Sequence, residues 1–326
     1  MKGRSFLYKL IPALVAIVAA ILISNHLNSY VMTLINTALI YFLCVSGTSI
    51  MLGMGGQLSM CSVTFMGFGG FLAAQLATTY GLTPILALIL GVIGTTIVGW
   101  LLGLVLMRLK SGFFVFGTIG LLQIGSTIFT NFRPLSGGPD GIFGLPKLVL
   151  FGYTFQTMQA WMCLLIVVTI FAILLISRIR SSSLGRSLMA VRDDEIAAYT
   201  LGVNVYRTKV IGFTISCALG GLAGGLLAFH NGVVSGSLFT FNTQLQFIIM
   251  TMLGGVNSTI GTLFGTFLVI ALPELLRPLA NYMTLIYGIT VIVLMIFLPM
   301  GLGGLVESIY KKVIRARKKA AVKNEG

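Results

Sequence analysis

Ten apolar stretches follow one another along the 326 residues, at about 10–24, 31–52, 58–79, 83–107, 111–130, 159–177, 210–230, 240–256, 259–276 and 281–300. An α-helix needs roughly 20 apolar residues to cross a bilayer. In hydrocarbon every backbone polar group must be paired within its own segment, so such stretches form helices. The pattern predicts an all-α, polytopic membrane helix bundle of about ten transmembrane helices. Composition agrees: 57% of residues are hydrophobic and 9% charged, with a mean hydropathy of +1.02, whereas soluble domains carry about 25% charged residues. Two stretches are weak. The 240–256 stretch is short and holds Gln244 and Gln246, and 111–130 holds Gln123, with Asn131 just beyond. Lys2, Arg4 and Lys9 precede IPALVAIVAAILIS, which reads as a retained first helix rather than a cleaved signal.

The net charge of +14 would suit nucleic acid only if the cations shared a surface. Instead they collect at the ends of apolar runs and in the tail, as membrane topology requires. With the N-terminus inside, 18 Lys and Arg fall on inner segments and only Arg133, Lys147 and Arg277 outside. Both termini are therefore expected in the cytoplasm. The inner segment 178–209 and the basic tail after Lys311 must be separated by an even number of crossings, so 240–256 is expected to cross too. Residues 1–310 are read as one transmembrane domain and 311–326 as a basic cytoplasmic tail. The localisation expected is a membrane that the chain crosses many times.

Cys44, Cys61, Cys163 and Cys217 are scattered through apolar runs with no C-x-x-C pair, so they read as small buried hydrophobes rather than metal ligands or disulfides. Glycines four apart (Gly99/Gly103, Gly220/Gly224, Gly221/Gly225, Gly261/Gly265) put small residues on one helix face and let backbones approach closely. GGQLS at 55–59 resembles GGVNS at 254–258, a repeat too short to carry an argument alone.

The segment 185–209 breaks the apolar pattern. It holds Arg186, Arg192, Asp193, Asp194, Glu195, Arg207 and Lys209, including three of the chain's seven acids side by side. Three acids at a bilayer centre would cost on the order of 8–10 kcal/mol, so the segment lies outside the hydrocarbon. Serines 181–183 offer N-caps for one short helix. Asp193 and Asp194 can cap a second, and Glu195 sits in its positively polarised first turn. Gly202 is a natural C-terminal stop. A solvated loop would explain the arginines but not a compact acidic cap followed by Ala197 and Ala198. The pattern suggests a helical peg for a cytoplasmic partner.

Glu195, Ala197, Ala198 and Gly202 resemble the E-A-A…G coupling loop of bacterial ABC import permeases, with Ile196 inserted. The longer run 185–228 is similar to the LivM-type branch, the permeases of branched-chain amino acid importers. So are GMGGQLSMCSVTFMGFGGFLAA (53–74), LKSGFFVFGTIG (109–120), LSGGPDGIFGLP (135–146) and MLGGVNSTIGTLFG (252–265). The resemblance runs in order over about 30–300. Cys61, Gly112 and Phe113 depart from the usual glycine, acidic residue and tyrosine. The resemblance implies a heterodimer with a second, related permease, two cytoplasmic ABC ATPase subunits and an extracytoplasmic solute-binding protein, all working in the lipid bilayer. No G-x-x-x-x-G-K-[ST] occurs in the chain, so the chain itself is expected to hold no cofactor, ATP being bound by the separate subunit.

The expected mechanism is alternating access, with Arg186, Arg192, Asp193, Asp194, Glu195, Ala197, Ala198 and Gly202 coupling to the ATPase. Gly56, Gln57 and Ser59, and Phe114, Thr118 and Gln123, are candidates for the translocation path, because polar or irregular backbone survives at membrane depth only against a cavity or protein. The outer loop residues Gly137, Gly138, Asp140 and Gly141 are candidates for docking the binding protein. Glu274 and Arg277 are expected to pair at an outer helix end, and His26 and His230 to be structural. No metal or catalytic constellation is legible, so an enzyme is not expected. No central acid suggests an ion-coupled secondary transporter or a channel. The expected substrate is leucine, isoleucine or valine; urea, short amides or another small solute is the alternative.

Overall fold

The structure, a computed structural model, describes residues 28–150 and 152–275 with isolated positions 286, 288, 289 and 292. The predicted stretches 10–24 and 281–300, His26, Arg277 and the basic tail lie outside the described residues.

All eight remaining apolar stretches are helices. The chain runs through α1 (Ser29–Ser49), which continues as a π-turn over Ile50–Met54, then α2 (Ser62–Thr78), α3 (Pro84–Leu106), α4 (Ser111–Asn131) and a single turn α5 (Arg133–Ser136). After a loop come α6 (Met158–Ser181), α7 (Ser183–Asp193), α8 (Glu195–Thr200), α9 (Val205–Asn231), α10 (Phe241–Gly254) and α11 (Thr259–Leu275). Five of these, Ser29–Met54, Pro84–Leu106, Gly112–Asn131, Met158–Ser181 and Val205–Asn231, are long and apolar enough to cross a membrane, and α2 and α11 are shorter apolar helices.

α9 is the central post, packed on α2, α3 and α1. Its glycines set the distance: a Cβ on Gly224 would lie 1.7 Å from the Met66 carbonyl oxygen, and one on Gly69 would lie 2.2 Å from that of Gly221. Only glycine allows such backbone contact, as the four-residue spacing predicts. Phe71, Phe129 and Phe239 cluster beside this seam, with ring centroids 5.1–5.8 Å apart, Phe71 stacked on Phe129 and Phe239 edge-on to both. Cys44, Cys61 and Cys217 are buried and all four cysteines are free.

The bundle has two distinct ends. At one, α7 and α8 form an elbow against the π-turn and the 255–258 loop. At the other, the loop after α4 folds into β1 (Ile142–Phe143), β2 (Val149–Leu150) and β3 (Tyr153–Thr154). β1 pairs antiparallel with β4 (Val233–Val234), Ile142 opposite Val234, and β2 pairs with β3. Asn36, on α1, and Trp161, on α6, are fastened to His230 at the end of α9, by a 3.3 Å hydrogen bond and an edge-on ring contact. His230 therefore has a structural setting.

α10 has 14 residues, about 21 Å at 1.5 Å per residue, short of a roughly 30 Å hydrocarbon core. The segment before it, β4 and the turn Gly236–Leu238, extends the chain beyond the helix. Val234 pairs with β1 at the loop end, and Gly236 packs on the Phe129–Thr130 backbone. Gln244 meets the start of α2, and Val256 reaches Ser49 near the elbow. The chain thus passes from one end of the bundle to the other between residues 233 and 257.

Candidate coupling elbow and translocation path

The elbow forms as its caps dictate. The Ser182 hydroxyl accepts from the Gly185 N–H at 3.3 Å and starts α7. The Asp194 carboxylate accepts from the N–H groups of Ile196 and Ala197 at 2.8 and 3.0 Å and starts α8. Asp193 does not cap; it closes α7 and pairs with Arg192 at 2.9 Å. Gly202 takes φ +83° and ends α8 in the left-handed conformation that glycine favours. Glu195 pairs with Lys209 at the start of α9, the lysine side chain being only 7% exposed. Arg186 bonds the Ser181 carbonyl.

Ala198 is 2% exposed and packs within the chain, whereas Ala197 is exposed. The outward surface of α8 is instead Ile196, Tyr199 and Leu201, 78%, 72% and 83% exposed. Three large apolar groups thus project from a charged segment, an arrangement that single scattered surface hydrophobes do not make. They were legible as letters in EIAAYTL, but their orientation was not.

Arg192 ties the elbow to the bundle. Its guanidinium donates to the Gly53 carbonyl in the π-turn at 2.7 Å and to Asn257 Oδ1 at 3.1 Å. Arg180 donates to the Asn257 carbonyl. The two G-G-x-x-S loops therefore lie side by side, with a Cβ on Gly53 falling 2.1 Å from the Val256 carbonyl oxygen. Gly56 holds φ +64°, and its missing Cβ would meet Arg192 Cγ at 2.5 Å. Asn257 and this junction escaped the sequence reading; the five-residue repeat was the one legible hint.

Ser59 and Gln57 are both buried at 2%. Gln57 Oε1 has no hydrogen-bond partner among the described residues. Ser59 contacts Cys61 through its hydroxyl, and its carbonyl accepts from Gln244. Gln244 Oε1 accepts from the Val63 N–H at 2.9 Å. A fully buried glutamine thus satisfies the free end of α2, which explains a polar residue in this apolar stretch.

On α4 the candidates part company. Phe114 and Thr118 are fully buried and face the bundle: Phe114 packs edge-on to Phe213 at 6.2 Å, and the Thr118 hydroxyl accepts from the Met60 N–H at 3.1 Å. Gln123 faces outward with Phe116, Gly120, Thr127 and Asn131. The open face of α3, by contrast, is wholly apolar, from Leu86 and Ile93 to Trp100 and Val105. The two open faces therefore differ in chemistry, α4 carrying Gln123, Thr127 and Asn131 where α3 carries only apolar side chains.

At the loop end, Asp140 is exposed between Gly138 and Gly141, which hold positive φ, as does Gly137. A Cβ on Gly141 would lie 2.3 Å from the Val234 carbonyl oxygen. The glycines therefore seat this loop against β4, and Phe132, Phe143 and Tyr153 project outward nearby. Tyr30 donates to Glu274, so that carboxylate is engaged from α1; its expected partner Arg277 lies outside the described residues. Among the described residues no group of His, Cys, Asp and Glu could hold a metal.

Five helices long and apolar enough to cross a membrane, packed on glycine seams, make this a multi-pass membrane bundle. The chain belongs to the family described as branched-chain amino acid transport system, permease component, whose sequence model matches residues 30–299. This is a family of transport permeases rather than enzymes. The chain is 30% identical over 290 residues to the high-affinity branched-chain amino acid transport system permease protein LivM of Salmonella typhimurium, covering 81% of this chain and 68% of that one. The same figures hold for LivM of Escherichia coli. It is also 27% identical to the fructose import permease protein FrcC of Rhizobium meliloti, over 76% of this chain and 71% of the relative. No solved structure matches significantly.

Proposed function

We propose that this chain is the transmembrane permease subunit of an ATP-driven ABC importer in the bacterial inner membrane, moving leucine, isoleucine, valine or a similar small solute inward by alternating access. The observation that carries this reading is the elbow. A charged projection with an exposed apolar tip, Ile196, Tyr199 and Leu201, is tied through Arg192 to the loops of two helix pairs. A push on α8 is thereby delivered to the ends of α1 and α10. The motor is a pair of cytoplasmic ATPases; Asp193 and Glu195 flank the tip, and Arg186 lies farther back on α7, charges that complementary groups can hold.

The path runs along the polar flank of α4, Gln123, Thr127 and Asn131, against a second, related permease, with Gln57 and Ser59 near its inner end. Phe114 and Thr118 act behind this surface, holding α4 in place. The flank carries no charge, which suits a zwitterionic or neutral solute. The outer loop around Asp140 docks a solute-binding protein, and that protein sets the substrate. Relatives named for fructose and for autoinducer 2 belong to the same sequence neighbourhood, so the cargo is the finer part of the proposal.

The test is ATP-dependent uptake of labelled leucine by vesicles holding the full complex. Ile196→Asp/Tyr199→Asp should abolish copurification of the ATPase and uptake together while the permease still inserts and melts normally. Uptake at the wild-type rate by that variant would overturn the elbow's role. Ala198→Trp is the poorer probe, because it breaks the elbow's own packing.

A further inference from the structure

We propose that the elbow-end seam of α3 and α4 binds one anionic phospholipid, its headgroup on Arg108 and Lys110 and an acyl chain along α3. The proposal needs only that the chain is embedded in a membrane, and it holds whichever solute is carried.

The headgroup site is a cleft of about 810 Å³ where the 107–110 turn meets α8 and the start of α9. Its charged lining is Arg108, Lys110, Lys209 and Glu195. Glu195 and Lys209 already pair with each other. Arg108 and Lys110 are exposed and take no ion-pair partner among the described residues. The cleft therefore presents two uncommitted cations at the depth where hydrocarbon gives way to water, the setting that attracts anionic headgroups.

The acyl site is a separate groove of about 340 Å³ between α3 and α4, lined only by apolar side chains and Gly125; Val98, Leu101, Leu102, Leu121 and Ile124 form most of it. An exposed apolar stripe, Leu101, Val105 and Leu109, joins the two. Leu101 lines the groove and Leu109 the cleft. Eight residues at 1.5 Å span about 12 Å, close to half of a roughly 30 Å hydrocarbon core. A headgroup on Arg108 and Lys110 thus places its chain in the groove at the proper depth. A free phosphate would use the cleft and leave the groove empty, a neutral lipid would leave the cations unanswered, and an acidic protein surface would not enter hydrocarbon.

The test uses the full chain in nanodiscs of palmitoyl-oleoyl phosphatidylglycerol and phosphatidylcholine, released for native mass spectrometry. Wild type should retain one phosphatidylglycerol in preference to phosphatidylcholine. Arg108→Gln/Lys110→Gln should weaken that preference by about 25-fold, at about fivefold per cation. Arg133→Gln/Lys147→Gln, at the opposite end, should leave it unchanged. A second arm needs no variant: a phosphatidylglycerol with a photoreactive acyl chain should label wild-type peptides within 98–124. No preference in wild type, labelling elsewhere only, displacement by millimolar inorganic phosphate, or loss of the lipid when the ATPase binds would each overturn the site, the last two assigning it to a soluble anion and to the motor.

Discussion

GGQLS at 55–59 and GGVNS at 254–258 look like copies, and the structure sets them side by side at the elbow end of the bundle. In both, the second glycine has positive φ, +64° at Gly56 and +97° at Gly255, and each loop turns one helix back into another. The difference lies in the third and fourth residues. Gln57 points into the protein and leaves Oε1 unpartnered among the described residues. Asn257 is exposed and accepts from Arg192 and Arg180 through its side chain and its carbonyl. One loop keeps its polar group for the interior, and the other offers it to the elbow. The pair teaches that a short repeat can fix a shared backbone turn while its variable positions divide the work, one facing the interior and one facing the elbow.

Forcing the two loops apart should have the largest effect. Gly53→Val places carbon where the Val256 carbonyl oxygen already lies, 2.1 Å from an ideal Cβ. Overpacking against backbone costs about 3 kcal/mol, the upper end of its usual range. The expected outcome is a large fall in melting temperature in detergent and in membrane yield. A variant melting with wild type would mean that the loops are not in contact.

Arg192→Ala comes next. It removes the bonds to Gly53 and Asn257, each charge-assisted and worth about 1.5–3 kcal/mol when well buried; the partly exposed arginine should lose less. Uptake should fall about tenfold or more, equivalent to roughly 1.4 kcal/mol of coupling, while the complex assembles and hydrolyses ATP. Parallel loss of hydrolysis and assembly would instead make Arg192 part of the motor's docking surface.

These two tests mark where sequence reasoning stopped. The eight helices were legible because bilayer thickness fixes their length and hydrocarbon fixes their composition. The elbow was legible because its caps are local: Asp194 and Gly202 act within four residues of themselves. Arg192 reaching Gly53 and Asn257 spans 139 and 65 positions, and no periodicity encodes that. The outward turn of Ile196, Tyr199 and Leu201 depends on which side of α8 the bundle covers. The same holds for α4, where Phe114 and Gln123 looked alike as candidates until neighbouring helices buried one and left the other open.

Asn257→Ala sharpens the comparison from the other loop. It deletes one acceptor of Arg192 and leaves the backbone carbonyl for Arg180, so the expected cost is about 1 kcal/mol. Uptake should fall about fivefold, less than for Arg192→Ala. Equal losses in the two variants would mean that Gly53 contributes nothing to the junction.

Gln57→Leu carries the smallest stability change and the sharpest question. A buried carbonyl without a partner costs about 1–3 kcal/mol, and leucine removes that cost at similar volume. If Gln57 merely sits among packed helices, the variant should melt at or above the wild-type temperature and transport normally. If its amide serves a permeating solute or the water that accompanies it, the melting temperature should hold or rise while uptake falls. Stability and transport then part company, which packing damage does not produce. A drop in both would place Gln57 in the scaffold with Gln244 and remove it from the path.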